Sequence, residues 1–132
     1  MVRVRDVMRR PATVSPSTRI IDAVKIMNEQ GASSVVVVDD YGRPVGIFTE
    51  RDLVRVVAEG VSLESEVGKV MTPNPITVKV DDPLSIALSK MAEHRIRNLP
   101  VVDSEGRLAG LITARDVTEV LKRYKEEVGE IE

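Results

Sequence analysis

The chain has 132 residues, 42% of them apolar and 30% charged, which is the composition of one ordinary folded domain or of two half-size units sharing a core. A net charge of -2 with both signs interspersed argues against a general nucleic-acid binder, and no apolar run reaches the length of a membrane span. With no Cys and His94 as the only histidine, disulfides, thiolate metal sites and a zinc site are excluded or disfavoured, and the 2% aromatic share leaves an aliphatic core.

Read from its start, the chain has the Arg-bearing segment Asp6-Val7-Met8-Arg9-Arg10, which lacks the hydrophobic stretch of a signal peptide, so a cytoplasmic location is the default. Arg9 and Arg10 either line a cleft or form a charged N-terminal turn. Thr13-Val14 reads as a very short strand. Ser17 or Thr18 is placed to cap a helix carrying Ile20, Val24 and Met27 on one face, with Gly31 to stop it. Val35 to Val38 is unbroken and β-branched, as a strand buried on both faces would be. Asp39 to Gly42 is a turn, Val45 to Phe48 a returning strand, and a helix beginning near Thr49 is expected to carry Leu53, Val54 and Val57 inward. The segment Gly60 to Glu66 is a linker whose apolar members suggest that it packs.

A shift of 64 residues lays Thr13–Asp52 on Thr77–Asp116 without a gap, with fourteen of forty positions identical. This is an internal repeat. Upstream the match continues at a shift of 63, pairing Val7-Met8 with Val70-Met71, so the second copy has one extra residue near Pro73-Asn74-Pro75. Asp82-Pro83 reads as a helix start, with the acid as cap and Pro at the first position, followed by Leu84, Leu88 and Met91. Leu99 to Val102 is a strand, Asp103 to Gly106 a turn, Leu108 to Ile112 the return strand, and the last helix starts near Ala114 and runs through Val117, Val120, Leu121 and Tyr124. The acidic stretch 126–132 is expected to fray. The organisation is therefore repeat 1 at 1–60, linker at 61–66, repeat 2 at 67–125 and tail at 126–132.

The chemistry concentrates in Gly46-Ile47-Phe48-Thr49-Glu50-Arg51-Asp52 and its copy Gly110-Leu111-Ile112-Thr113-Ala114-Arg115-Asp116. Each ends a strand and opens a helix, and the N–H groups of a helix entrance favour an anion. The plainer reading of Thr-x-x-Asp is a capping box that only satisfies the helix start. Duplication with Gly and Arg retained favours a binding role, because a cap needs neither. Burial requires the two units to cover each other's sheets, which would bring the two helix entrances to a shared pseudo-twofold cleft.

With these twin segments, the Asp6–Met8 start and the Leu99-Pro100-Val101-Val102-Asp103 strand, the chain resembles a tandem CBS-domain pair, or Bateman module, over roughly residues 4 to 124. The resemblance implies an α/β (α+β) fold of two βαββα repeats packed sheet to sheet, often pairing into disc-shaped homodimers. It also implies AMP, ADP or ATP as ligand, with no catalytic cofactor and no metal, and a separate, unidentified regulated protein as partner. Carried onto this sequence, Asp52 and Asp116 would accept ribose hydroxyls, Thr49 and Thr113 would donate to phosphate, and Arg51 and Arg115 would add charge-assisted contacts. Adenine would lie near Thr13-Val14 and Ile47, and near Ile76-Thr77 and Leu111.

The repeats differ where Arg95-Ile96-Arg97-Asn98-Leu99-Pro100 replaces Gly31-Ala32-Ser33-Ser34-Val35-Val36. Arg97 and Asn98 would reach phosphate or base, or else Arg95 and Arg97 form a solvated face. Pro100 implies an edge strand or a bulge where a ligand approaches backbone. His94 is read as a surface residue. The two sites are therefore expected to be unequal. The rival readings are a ligand-free dimerisation scaffold in which Thr-x-x-Asp only caps, and a module for another adenosyl ligand such as S-adenosylmethionine or NAD(H). An enzyme is the weakest reading, because the sequence clusters no nucleophile with a base.

Overall fold

The structure, a computed structural model, describes residues 1–128; residues 129–132, the end of the acidic stretch, lie outside the described residues. In chain order the elements are β1 (Thr13–Val14), α1 (Ile20–Gln30), β2 (Ser34–Val38), β3 (Pro44–Thr49), α2 (Glu50–Ala58), β4 (Thr72–Pro73), β5 (Val78–Lys79), α3 (Leu84–His94), β6 (Asn98–Val102), β7 (Leu108–Thr113) and α4 (Ala114–Val128). Single 3-10 turns at Val4–Asp6 and Val67–Lys69 precede the two halves' later strands. Mixed helix and strand in a repeated order is what the duplicated sequence pattern requires.

Two compact units result. One contains Pro11–Pro75 with Ser104–Leu108; the other contains Met1–Arg10, Ile76–Asp103 and, among the described residues, 109–128. The leading ten residues thus join the elements of the second repeat, and the segment after α2 joins those of the first.

In the first unit the sheet order is β1-β2-β3-β4, with β1 parallel to β2 and the remaining pairs antiparallel. β2 is central, and Val35, Val36 and Val37 are fully buried, as their unbroken β-branched run predicts. Phe48 and Val56 join Val35 and Val37 in the core, and Val61 and Leu63 of the linker pack against it. In the second unit the order is β5-β6-β7, around a core that includes Leu99, Val101, Ile112 and, from the N-terminal segment, Val4.

Several local expectations are corrected. Helix α1 begins after Arg19 with no side-chain cap, so neither Ser17 nor Thr18 caps it; Thr18 Oγ1 instead accepts the Ser15 N–H at 3.2 Å. Carbonyls from the linker take over, with the N–H groups of Ile20 and Ile21 donating to Ser65 O and Leu63 O, both at 2.9 Å. Backbone partners remove the need for a capping side chain. The same holds for α3. Its N-cap is Pro83, the Asp82 carboxylate accepts the Lys79 N–H at 2.9 Å, and the Leu84 N–H donates to Val2 O at 3.0 Å.

On α2 the inward residues are Val56 and the half-buried Leu53, whereas Val54 and Val57 are 68% and 62% exposed. The helix is turned so that Asp52 and Val56, one turn apart, face inward. On α3 Ala87 takes the buried position between Leu84 and Met91, leaving Leu88 exposed. Gly31 closes α1 in the left-handed conformation at φ 61°, and at the matching place on α3 the residue is Arg95, at φ 54°. Pro100 is not at an edge, since it lies buried in β6, the middle strand of its sheet.

Candidate functional site

Both Thr-x-x-Asp segments fold as the strand-to-helix corners that the sequence marks. At the start of α2, Thr49 N–H donates to Asp52 Oδ2 at 2.9 Å and Asp52 N–H donates to Thr49 Oγ1 at 3.3 Å. At the start of α4 the matching bonds, Thr113 N–H to Asp116 Oδ2 and Asp116 N–H to Thr113 Oγ1, are 2.9 and 3.2 Å. Both capping boxes are complete. The Glu50 N–H is also engaged, by Ser33 O at 3.1 Å, and the Ala114 N–H by Arg97 O at 2.8 Å. The expectation of unpaired donors at these entrances is therefore corrected in part, because the fold already satisfies three of the leading N–H groups in each.

What distinguishes the corners from ordinary caps is burial of the acid. Asp52 and Asp116 are each 8% exposed, yet a carboxylate has about four acceptor positions and the capping box uses only some of them. The second oxygen of each carboxylate, Oδ1, is met from a neighbouring strand segment. In the first unit one row crosses the sheet from Thr13 through Val36 and Ile47 to Thr72, and the Thr72 hydroxyl donates to Asp52 Oδ1 at 3.2 Å. Arg55 stands farther off, 3.5 Å from the same oxygen.

In the second unit Arg9 occupies the place of Thr72. Its backbone pairs with β7, exchanging two hydrogen bonds of 2.9 Å with Leu111. Its Nε donates to Asp116 Oδ1 and Oδ2 at 2.9 and 3.1 Å, and its Nη2 to Oδ1 at 2.6 Å. Burial pushes the Asp116 carboxyl up, but the hydrogen bonds from Arg9 and Thr113 outweigh it and hold the group below the usual carboxylate value. The Arg9 guanidinium is raised by its bond to the same carboxylate.

The close approach of these segments depends on glycine. A Cβ on Gly110 would lie 2.6 Å from the Met8 sulfur, and one on Gly46 would strike the Met71 side chain. The Gly of each repeated segment is thus a seat for the methionine that precedes Arg9 or Thr72.

The remaining sequence-predicted residues fall around these corners. Thr13 is exposed and Val14 buried on β1, and Ile47 and Leu111 are buried on β3 and β7. Arg51 and Arg115 are exposed in the first helical turns. Arg97 is exposed, and its carbonyl holds the start of α4; Asn98 and Leu99 begin β6. Ile76 and Thr77 precede β5, where Lys90 Nζ donates to Thr77 O at 2.7 Å.

Pro100 has a definite effect here. In the first unit Val36 N–H donates to Ala12 O at 2.8 Å, but Pro100, at the equivalent position, has no N–H to offer Ile76 O. The parallel pairing accordingly begins at Val78–Val101 instead of one residue earlier, as at Thr13–Val36. His94 is exposed, as expected of a surface residue.

The sequence motifs do not mark Thr72, and they allow two readings of Arg9. The signal that could have joined them is the shift of 63 that sets Val7-Met8 on Val70-Met71, because it also sets Arg9 on Thr72. Among the described residues there is no cluster of metal-ligating side chains and no helix long and apolar enough to cross a membrane.

The family model for the CBS domain matches residues 4–59 and again residues 67–123. An uncharacterized protein of Methanopyrus kandleri is 35% identical over 96% of this chain and 72% of its own length. The chain spans 65% and 22% of the lengths of two further relatives. Among solved structures, the CBS domain pair of protein MJ0100, in complex with 5'-methylthioadenosine and S-adenosyl-L-methionine, has a TM-score of 0.87 and 29% identity, covering 94% of this chain and 98% of that one. The CBS domain protein PAE2072 of Pyrobaculum aerophilum, complexed with AMP, has a TM-score of 0.85 and 27% identity, covering 92% of this chain and 97% of that one.

Proposed function

Since the chain belongs to the CBS-domain family, with one repeat at 4–59 and another at 67–123, we propose that it is a regulatory module that binds an adenine nucleotide, AMP, ADP or ATP, without hydrolysing it. Its response is passed to a separate partner protein. The observation that carries this reading is the pair of buried carboxylates, Asp52 and Asp116, each on the first turn of a capped helix with acceptor capacity beyond the cap. Asp52 and Asp116 take the ribose hydroxyls. Thr49, Thr113, Arg51 and Arg115 meet the phosphate, helped in the second unit by Arg97 and Asn98. The base lies against Thr13, Val14 and Ile47 in one unit, and against Ile76, Thr77, Leu99, Pro100 and Leu111 in the other. The Ile76 carbonyl, which Pro100 cannot engage, is suited to accept from a base amino group.

AMP bound to one structural neighbour supports a mononucleotide. S-adenosyl-L-methionine and 5'-methylthioadenosine bound to another favour a second reading, an adenosyl ligand without phosphate. The completeness of both capping boxes favours a third, a scaffold without ligand, since each Asp already has a structural task.

Thermal shift with AMP, ADP, ATP, GTP, S-adenosylmethionine and NADH separates these readings. A ligand at 100 times its Kd adds about 2.7 kcal/mol to stability by mass action. Calorimetry on nucleotide-stripped protein then compares Asp52→Ala and Asp116→Ala, each expected to lose affinity. No shift with any adenylate at millimolar concentration refutes nucleotide binding, and unchanged affinity in both variants refutes the role of the carboxylates. Self-association as a homodimer is part of the same proposal, supported by Val54 and Val57 exposed on α2 and Leu121 and Tyr124 exposed on α4.

A further inference from the structure

The two repeats set different side chains on the same carboxylate. Beyond its own capping threonine, Asp52 accepts a hydrogen bond from the Thr72 hydroxyl at 3.2 Å, with Arg55 no nearer than 3.5 Å, whereas Asp116 is gripped by the fork of Arg9 through three contacts of 2.6 to 3.1 Å. The Arg9 backbone is fixed to β7 on both its N–H and its carbonyl, while its side chain remains 44% exposed. The guanidinium can therefore leave Asp116 without any movement of the chain.

On the reading that these helix starts bind adenosyl ligands, we propose that Arg9 is the specificity-determining residue of the α4 site. It admits adenosyl ligands that carry a phosphate and discriminates against those that do not, whereas the α2 site, with Thr72 in the same place, accepts either. The oxygens that Arg9 holds are the acceptors that a ribose diol needs. A diol that displaces Arg9 exchanges hydrogen bonds charged on both sides for ones charged only on the carboxylate side, and it leaves the guanidinium without its anion. A ligand phosphate restores that anion, in a geometry the planar fork also fits bidentately. At Asp52 the displaced group is the Thr72 hydroxyl, which water can satisfy, and with Arg55 standing 3.5 Å off no guanidinium hydrogen bond is lost, so a phosphate brings no comparable advantage.

The test uses the full chain and two probes, AMP and adenosine. In an Asp52→Ala background, where α4 is the reporting site, calorimetry measures the ratio of AMP to adenosine affinity with and without Arg9→Thr. The ratio is expected to fall about tenfold, adenosine tightening as AMP weakens; a change of less than twofold overturns the proposal. The reciprocal pair, Thr72→Arg in an Asp116→Ala background, is expected to raise the ratio at the α2 site, and an unchanged ratio there counts equally against Arg9. This second arm decides the matter if Arg9→Thr fails to fold by circular dichroism. The two possible failures are distinct. No heat with either probe, in the unaltered chain as in the variants, refutes adenosyl binding itself and this proposal with it. Binding with a flat ratio refutes the role of Arg9 alone.

Discussion

Replacing Gly110 by Ala tests whether the leading segment is seated on β7 as the structure places it. The added Cβ would stand 2.6 Å from the Met8 sulfur, 3.0 Å from its Cγ and 3.1 Å from its Cβ, all inside normal contact distance. Overpacking of this kind costs about 1–3 kcal/mol. Loss of unfolded-chain entropy on going from Gly to Ala returns roughly 0.4–1 kcal/mol, so the net destabilisation is about 1.5 kcal/mol. In a chain of 132 residues that lowers Tm by roughly 6 °C.

The cause is isolated by a cycle with Met8→Ala. Truncating this half-buried side chain alone costs about 1–2 kcal/mol, but it removes the two closest atoms that the new Cβ meets. The double variant should therefore be more stable than the sum of the singles predicts, by about 1 kcal/mol, measured by urea unfolding at equilibrium. Additivity within about 0.3 kcal/mol would show that Met8 does not lie over Gly110, and the account of how Arg9 is brought to Asp116 would fail with it.

Arg95→Gly should raise stability by about 0.5–1 kcal/mol in thermal unfolding, because Arg95 holds a left-handed φ of 54° that costs an L-residue about 1–2 kcal/mol while Gly31 holds φ 61° in the other repeat without that penalty. A destabilised Arg95→Gly would refute the strain. Arg9→Met should cost about 1 kcal/mol at neutral pH, the value of a half-exposed charged pair. Because the folded Asp116 carboxyl is lowered from 3.8, its contribution is fully present above that value and is lost as pH falls through the lower folded value. The gap between the unaltered protein and Arg9→Met should therefore narrow on acidification below 3.8, and a gap that widens there in urea titrations would contradict the assignment. Val54→Lys with Val57→Lys should leave the Tm of dilute protein within about 0.5 kcal/mol equivalents, since both side chains are mostly exposed, while reducing self-association in sedimentation velocity. Equal association of both proteins would remove α2 from the interface.

The sequence carried the elements whose signals are local. Val35 to Val38 read as a buried strand because β-branched side chains ran without interruption, and Gly31 read as a stop because only a left-handed residue closes a helix in that way. The two Thr-x-x-Asp corners were visible because a capping box spans four residues and the chain contains it twice. The face that α2 presents was not visible. Leu53, Val54, Val56 and Val57 offer apolar side chains around most of a turn, and only packing under β3 chooses Val56 over its neighbours. Ser, Thr and Asp stand at the spacing of side-chain caps for α1 and α3, yet none of them caps either helix. The real partners were carbonyls of Leu63, Ser65 and Val2, at distances along the chain that no local pattern encodes.

Composition and repetition alone determined that this protein is a duplicated α/β chain with two strand-to-helix corners, because periodicity and turn chemistry act between near neighbours. Tertiary structure decided what stands on each corner's acid. Arg9 and Asp116 are 107 positions apart, and Thr72 and Asp52 are 20 apart. Such pairings are fixed by which strand segment hydrogen-bonds beside β3 or β7 and by the glycine that lets a methionine lie flat against it. Two corners nearly identical in sequence therefore become, in the folded chain, one carboxylate under a neutral hydroxyl and one under a guanidinium.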